Sequence, residues 1–301
     1  MTVGAEQSLR PLRDADVDQV VELYRQAWGD ARPMDREELL SWLRNPGIDP
    51  DSMRVLEVGD TVIGYGDVSV DDGVLALEVA APGQWSTFLK WAEAVGTREG
   101  VQTVRVVSYA GDSLASVAGQ RGYRLWRSNY TMRIDFEREP EADQSALDSF
   151  DVRTFAPDNS GALRAALDEA SAADPFFSTV TPERFREFYL GARGFDPSLW
   201  LLAWSDDELV GFVLAYTEFI GEEVGYIHSL GVRPEWRGRG IGAALLRLAF
   251  QRLYRVGLGA CVLGVDASNA TGAARLYERV GMRVLRQSDN WSYQLQPAPA
   301  A

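Results

Sequence analysis

Between Val232 and Leu246 the chain reads V-R-P-E-W-R-G-R-G-I-G-A-A-L-L. An apolar stretch, Tyr226 to Val232, passes through a proline into a turn holding Gly238, Gly240 and Gly242, and an Ala/Leu-rich helical run follows at once. Glycine lets a backbone come close to a ligand, and the first amides of a helix are donors without intrahelical partners at the positive end of its dipole. A strand, a glycine turn and a helix start in this order make a seat for an anion, above all a phosphate. Arg237 and Arg239 alternate with the glycines and can add charge-assisted hydrogen bonds there. The dinucleotide fingerprint needs an acidic residue about 20 positions on, and Asp266 lies beyond that. The nucleoside-triphosphate loop needs Gly-Lys-Ser/Thr, and this loop has no lysine. A plain tight turn satisfies the glycines taken alone.

The elements around this loop occur twice. Residues 9 to 29 predict a short strand and an Asp-capped helix with Val17, Val20, Val21, Tyr24 and Ala27 on one face, and residues 152 to 172 repeat the scheme. Val62-Ile63-Gly64-Tyr65 is echoed by Leu209-Val210-Gly211-Phe212, each within two strands around a polar turn. Each copy continues with a strand, a helix, a β-rich run (Val101 to Tyr109; Ala260 to Asp266), a short helix and a glycine turn into closing strands. The expected division is a first domain over 1–137, a linker over 138–150, a second domain over 151–297 and a disordered tail over 298–301. The linker assignment rests on the acidic, Pro/Ser-containing composition of Glu137 to Ser149. Per copy, the order predicts an α+β fold, a mixed twisted sheet covered by helices.

After the strand Cys261 to Asp266 comes Asn-x-x-x-Ala-x-x-x-Tyr-x-x-x-Gly, carried by Asn269, Ala273, Tyr277 and Gly281. Together with Arg-x-x-Gly-x-Gly (Arg237, Gly240, Gly242) this resembles the GNAT superfamily of acyl-CoA N-acyltransferases. The likeness covers nearly the whole chain as two tandem GNAT domains, and among two-copy members it is similar to the mycothiol synthase family. It implies acetyl-CoA (coenzyme A) as cosubstrate, no metal, and transfer of an acetyl group to a primary amine by direct attack in the C-terminal domain. The implied coenzyme contacts are Leu230, Val232, Arg237, Gly238, Arg239, Gly240, Gly242, Ala243 and Asn269, with the backbone amides of Gly231 and Val232 facing the thioester oxygen. Tyr277 is implied to point at the coenzyme sulfur, where a phenol can give a proton to the leaving thiolate; a core tyrosine is the plain alternative.

Many relatives place a glutamate at the position of Tyr226, so the general base must come from elsewhere. His228, the chain's one histidine, lies two residues on, hence on the same face of a regular strand, and its reference pKa suits neutral pH. The alternatives are a hydrogen-bonded core histidine, with Glu218, Glu222 and Glu223 draining the proton through water. For the acceptor, Phe176 and Phe177 are expected to line a pocket with Glu218 and Tyr226, whereas Phe185, Phe188 and Tyr189 at helical spacing are expected in the core. In the first copy Ala118 stands at the position of Tyr277, Ala110 near that of Asn269, and A-A-P-G-Q-W-S (80 to 86) replaces the glycine loop. That copy is expected to be a structural partner.

Composition narrows the remaining classes. A length of 301 residues suggests two domains, and 46% hydrophobic content supports real cores. The net charge of −14 and pI near 4.6 repel nucleic acid and anionic membranes and favour a cationic amine substrate. One cysteine, Cys261, forbids an internal disulfide, and one cysteine with one histidine cannot build the usual zinc sites. The N-terminus has no leader pattern and no apolar run reaches membrane-spanning length, so the expectation is a cytoplasmic protein, monomer or homodimer. Two rival readings remain open: a non-catalytic acyl-CoA sensor, and an aminoacyl ligase using charged tRNA.

Overall fold

The computed structural model describes residues 7–29, 34–45, 47–141, 143–172, 179–218, 224–267 and 272–296. The first copy supplies β1 (Gln7–Pro11), α1 (Val17–Trp28), α2 (Arg36–Leu43), β2 (Met53–Val58), β3 (Thr61–Asp71), β4 (Val74–Ala80), α3 (Trp85–Glu99), β5 (Thr103–Tyr109), α4 (Leu114–Gln120) and β6 (Arg124–Asp135). The second supplies β7 (Asp151–Thr154), α5 (Ser160–Ser171), α6 (Pro182–Arg184), a π-helix over Phe185–Leu190, β8 (Phe195–Ser205) and β9 (Glu208–Tyr216). It ends with β10 (Gly225–Val232), α7 (Ile241–Arg255), β11 (Ala260–Asp266), α8 (Ala273–Arg279) and β12 (Arg283–Gln294).

Contacts gather the chain into two compact units, Met1–Asn129 with Arg286–Ala301, and Tyr130–Leu285. In the first unit the sheet runs β1-β2-β3-β4-β5-β12, with β4 and β5 parallel and β5 and β12 antiparallel. In the second it runs β6-β11-β10-β9-β8-β7, with β10 and β11 parallel and β9 antiparallel to β10 and to β8. Each is the mixed sheet with helices that the pattern predicts.

This division differs from a break at 137–151. Ser288–Gln294 of β12 pair with Tyr109–Thr103 of β5, and Trp291 and Tyr293 pack against the first core. Met132 of β6 is fully buried in the second core, and the Phe136 amide donates to Gly259 at 2.7 Å. The acidic stretch between the copies is also packed: Leu147 is buried, Glu139 pairs with Arg255 and Gln251 donates to the Pro140 carbonyl. Its polar composition describes its outer side, and its one buried leucine fixes it on the second core.

The second unit's central strand β9 is buried on both faces. Val213 and Ala215 enter the core beneath α7, while Phe212, Leu214 and Tyr216 enter the core beneath α5 and the π-helix. From α7, Ile241, Leu245, Leu246 and Leu253 are fully or almost fully buried, each contributing about 1.5–3 kcal/mol on removal from water. That apolar face holds the helix, and hence its N-terminus, rigidly against the sheet.

Phe185 and Tyr189 are buried as their spacing predicts, but Phe188 is 57% exposed. The π-turn is the reason: Gly191 donates to the Arg186 carbonyl, five residues back, at 2.9 Å. The widened turn shifts one position off the buried face.

Candidate active site

Strand β10 is paired with β11 over only three residues, Gly225 to Ile227 opposite Cys261 to Leu263, although both strands continue. From His228 onward β10 keeps β9 but leaves β11, which opens a V in the sheet. The parting begins at a β-bulge, where the register on β9 steps from Ile227–Ala215 to Ser229–Leu214 and His228 is the extra residue. Past the V, β10 runs through Pro234 into the glycine loop. Gly238 and Gly240 have φ of 77° and 81°, the left-handed region that glycine adopts without penalty. Gly240 is the N-cap of α7, and no side chain caps the helix, so its first amides remain available to an anion. A Cβ on Gly242 would sit 3.5 Å from Val232 and 4.0 Å from Leu276. These are ordinary contacts, so the folded chain alone does not demand glycine there.

The two arginines of the loop are engaged with the protein. Arg237 donates from Nε to the Val232 carbonyl and from Nη2 to the Ala170 carbonyl, both at 3.0 Å, and so ties the end of β10 to the end of α5. The Arg239 guanidinium stacks over Trp236 at 4.6 Å and donates to the Glu235 carbonyl. Leu230, Val232 and Ala243 are partly buried against the core beneath α7. Gly231 is fixed by packing, since a Cβ there would fall 2.3 Å from Phe212 and 2.9 Å from Ala170.

Tyr277 lies on α8, buried in the same core as Ile241 and Leu245. Burial pushes its phenol up to about 12, so it stays protonated at neutral pH. His228 occupies the other face of the sheet. Its ring is 4.7 Å from Tyr189, 5.6 Å from Tyr216 and 5.9 Å from Tyr226. The imidazole keeps one side open to solvent, yet the three rings strip it of bulk water, and desolvation holds its pKa below the usual histidine value. Its Nδ1 is 2.9 Å from Ser229 Oγ. Desolvation raises all three tyrosines, leaving a neutral aromatic wall.

Glu218 is taken up by Arg193 at 3.1 Å. Phe176, Phe177, Glu222, Glu223 and Asn269 lie outside the described residues. Cys261 is buried, and desolvation raises its thiol well above the ordinary range, which leaves it inert filler. Ser229 and Tyr189 escaped the sequence reading as site residues. The available signal was His228-Ser229, two consecutive polar residues inside an apolar strand.

Residues 165–282, which include the V, the glycine loop and α8, match the acetyltransferase (GNAT) family. Over 233 residues the chain is 30% identical to a mycothiol acetyltransferase of Streptomyces scabiei, covering 75% of each chain. The chain belongs to the GNAT family of acetyltransferases. A GCN5-related N-acetyltransferase from Sphaerobacter thermophilus shares its fold with a TM-score of 0.82 at 30% identity, over 98% of both chains. A tandem GNAT protein from the clavulanic acid biosynthesis pathway matches at a TM-score of 0.70 and 15% identity, over 97% of this chain and 100% of its own; that likeness concerns the fold.

Within this acetyltransferase the first unit keeps the V but puts a buried tryptophan at the start of the helix that follows it. Strand β4 pairs with β5 from Val74 to Leu77, then leaves it and runs on to Ala80 paired with β3. Where α7 begins with Ile241 after a glycine N-cap, α3 begins with Trp85 after Gln84, and Trp85 is 4% exposed. It lies 5.3 Å from Trp28 and donates from Nε1 to Ser113 Oγ at 2.9 Å. Ala80 and Ala81 beside it are fully buried, and Ala118 at the position of Tyr277 carries no proton donor.

Proposed function

We propose that the second unit transfers an acetyl group from acetyl-CoA to a primary amine of a small molecule by direct attack. The observation that carries this reading is the uncapped, glycine-built start of α7 at the mouth of the V between β10 and β11. The residues fit a coenzyme diphosphate: amides free at a helix N-terminus, and space over Gly242 that the fold leaves open. The amides of Gly238 to Ala243 would hold the diphosphate, and Leu230 and Val232 would flank the arm in the V. When bound, the coenzyme supplies the thioester that is consumed.

His228 and Tyr277 stand on opposite faces of the sheet, which suits separate sites for an arriving and a leaving group. On the α5 side, neutral His228 accepts the proton of the attacking amine. On the α7 side, Tyr277 faces the departing sulfur. A phenol near 12 holds its proton some 3.5 units more tightly than a thiol of ordinary pKa near 8.5, so full transfer would cost about 5 kcal/mol. Tyr277 therefore acts as a hydrogen-bond donor to the developing thiolate, and the amine's proton, drained through His228, balances the reaction. The backbone at Gly231 and Val232, fixed by Phe212, Ala170 and Arg237, stabilises charge on the thioester oxygen.

The acidic net charge favours a cationic amine, and the name of the Streptomyces relative makes mycothiol lacking its acetyl group the first acceptor to try. Thiol release from acetyl-CoA across an amine panel, with the product weighed by mass spectrometry, tests the reading. Amine-dependent thiol release with acetylated product is expected, and thiol release that never depends on an amine contradicts it. His228→Ala should lower the rate at least about tenfold at pH 7.5.

A further inference from the structure

On a regular strand consecutive side chains point to opposite faces, so His228 and Ser229 should not meet. The bulge at His228 removes that alternation. Ser229 is set opposite Leu214, whose side chain enters the core beneath α5, and so it shares a face with Tyr226 and His228. Its hydroxyl reaches His228 Nδ1 at 2.9 Å. Tyr189 closes the arrangement: its ring lies on the imidazole at 4.7 Å, and its phenol oxygen faces the Ser229 hydroxyl as acceptor. The π-helix that presents Tyr189 is anchored by Tyr216, whose buried hydroxyl donates to the Tyr189 carbonyl at 3.1 Å.

We propose that Ser229, backed by Tyr189, is a positioning residue that accepts the Nδ1–H of His228 and so fixes the tautomer in which Nε2 carries the lone pair. This rests on the reading of His228 as the base. A histidine's two nitrogens are distinct, and the hydrogen bond made by one decides the state of the other. A serine oxygen has two lone pairs and one proton. The Ser229 contact with Tyr189 favours the ionised phenol, as a donated hydroxyl proton does. With that proton given to Tyr189, the Ser229 oxygen is left to accept from Nδ1. With Nδ1 held, Nε2 is the nitrogen left to take a proton on the open side of the ring. The proton taken there makes the imidazolium, whose Nδ1–H bond to Ser229 persists, and the charge is discharged to water from Nε2. The groups facing the imidazole are Ser229 and Tyr226 from β10, Tyr216 from β9 and Tyr189 from the π-helix. Asp168 and Arg184 act at one remove, through Tyr189.

His228 is the sole histidine, so nitrogen NMR on the full chain labelled with 15N-histidine reads this one ring without assignment. At pH 7.5 the wild type should show the Nδ1–H tautomer, and Ser229→Ala should turn the majority to Nε2–H. Ser229→Ala should also lower kcat/KM about tenfold, with Ser229→Thr restoring both tautomer and rate to within about twofold. An Nε2–H ring in the wild type overturns the proposal, as does a ring whose tautomer is the same with and without the serine hydroxyl. The His228→Ala rate is a separate reading: if it is unchanged, the base assignment falls, whatever the tautomer shows.

Discussion

His228 is held neutral by three tyrosine rings, and that has a sign. Its folded pKa lies below the ordinary value, so the unfolded chain takes up this proton at a higher pH than the folded one. The stability it contributes is present above about pH 6.5 and is lost as pH falls through the lowered folded value. The same shift fixes the acidic limb of kcat/KM below about pH 6.5, and the limb should vanish in His228→Ala. A wild-type limb above pH 7 contradicts the assignment. Tyr277→Phe should lower kcat about 10²-fold with little change in the KM for acetyl-CoA. Because the phenol sits near 12, Tyr277 should give no alkaline limb below about pH 10; a limb near pH 8.5 that disappears in the phenylalanine variant would refute its role. At this scale the sequence was legible where residues repeat at fixed spacing: the run from Ala273 puts Tyr277 on a helix, where α8 holds it. Ser229 was not, because its place depends on a backbone bulge whose only written trace is two polar residues in a row.

Gly231 near the end of β10 and Gly242 in the first turn of α7 are required for different reasons. Gly231 is needed by the fold: a Cβ would enter Phe212 and crowd Ala170, so Gly231→Ala should destabilise by about 1–3 kcal/mol, the usual cost of overpacking, read as a lowered denaturant midpoint. Gly242 is left open by the fold. Gly242→Ala should therefore keep the wild-type midpoint and still weaken coenzyme A binding at least about tenfold, by filling the space a diphosphate needs. Unchanged affinity in a titration calorimeter contradicts that account of the loop. The elements were read well where periodicity is unbroken: β11 spans Ala260–Asp266 as expected. Phe188 was misplaced because a π-turn changes the spacing without changing any residue type.

The repeat showed that there are two copies, and hydrophobic patterning gave each a mixed sheet. Which strands complete which unit stayed hidden, since a closing strand carries the same alternation whichever sheet it joins. Ser288–Gln294 complete the first unit, so a fragment of residues 1–137 leaves β5 as an open edge and uncovers the core where Trp291 and Tyr293 pack. That fragment should show no cooperative thermal transition, whereas the full chain should; a sharp transition in the fragment contradicts the division.

The central claim is that the amides opening α7 hold a diphosphate and direct a thioester through the V toward His228 and Tyr277. A crystal structure of the full chain grown with acetyl-CoA tests it most directly. The diphosphate should lie against the backbone of Gly238 to Ala243, with the thioester carbonyl near Gly231 and Val232 and the sulfur on the side of Tyr277. Coenzyme bound elsewhere, with that backbone contacting only protein, would contradict the account.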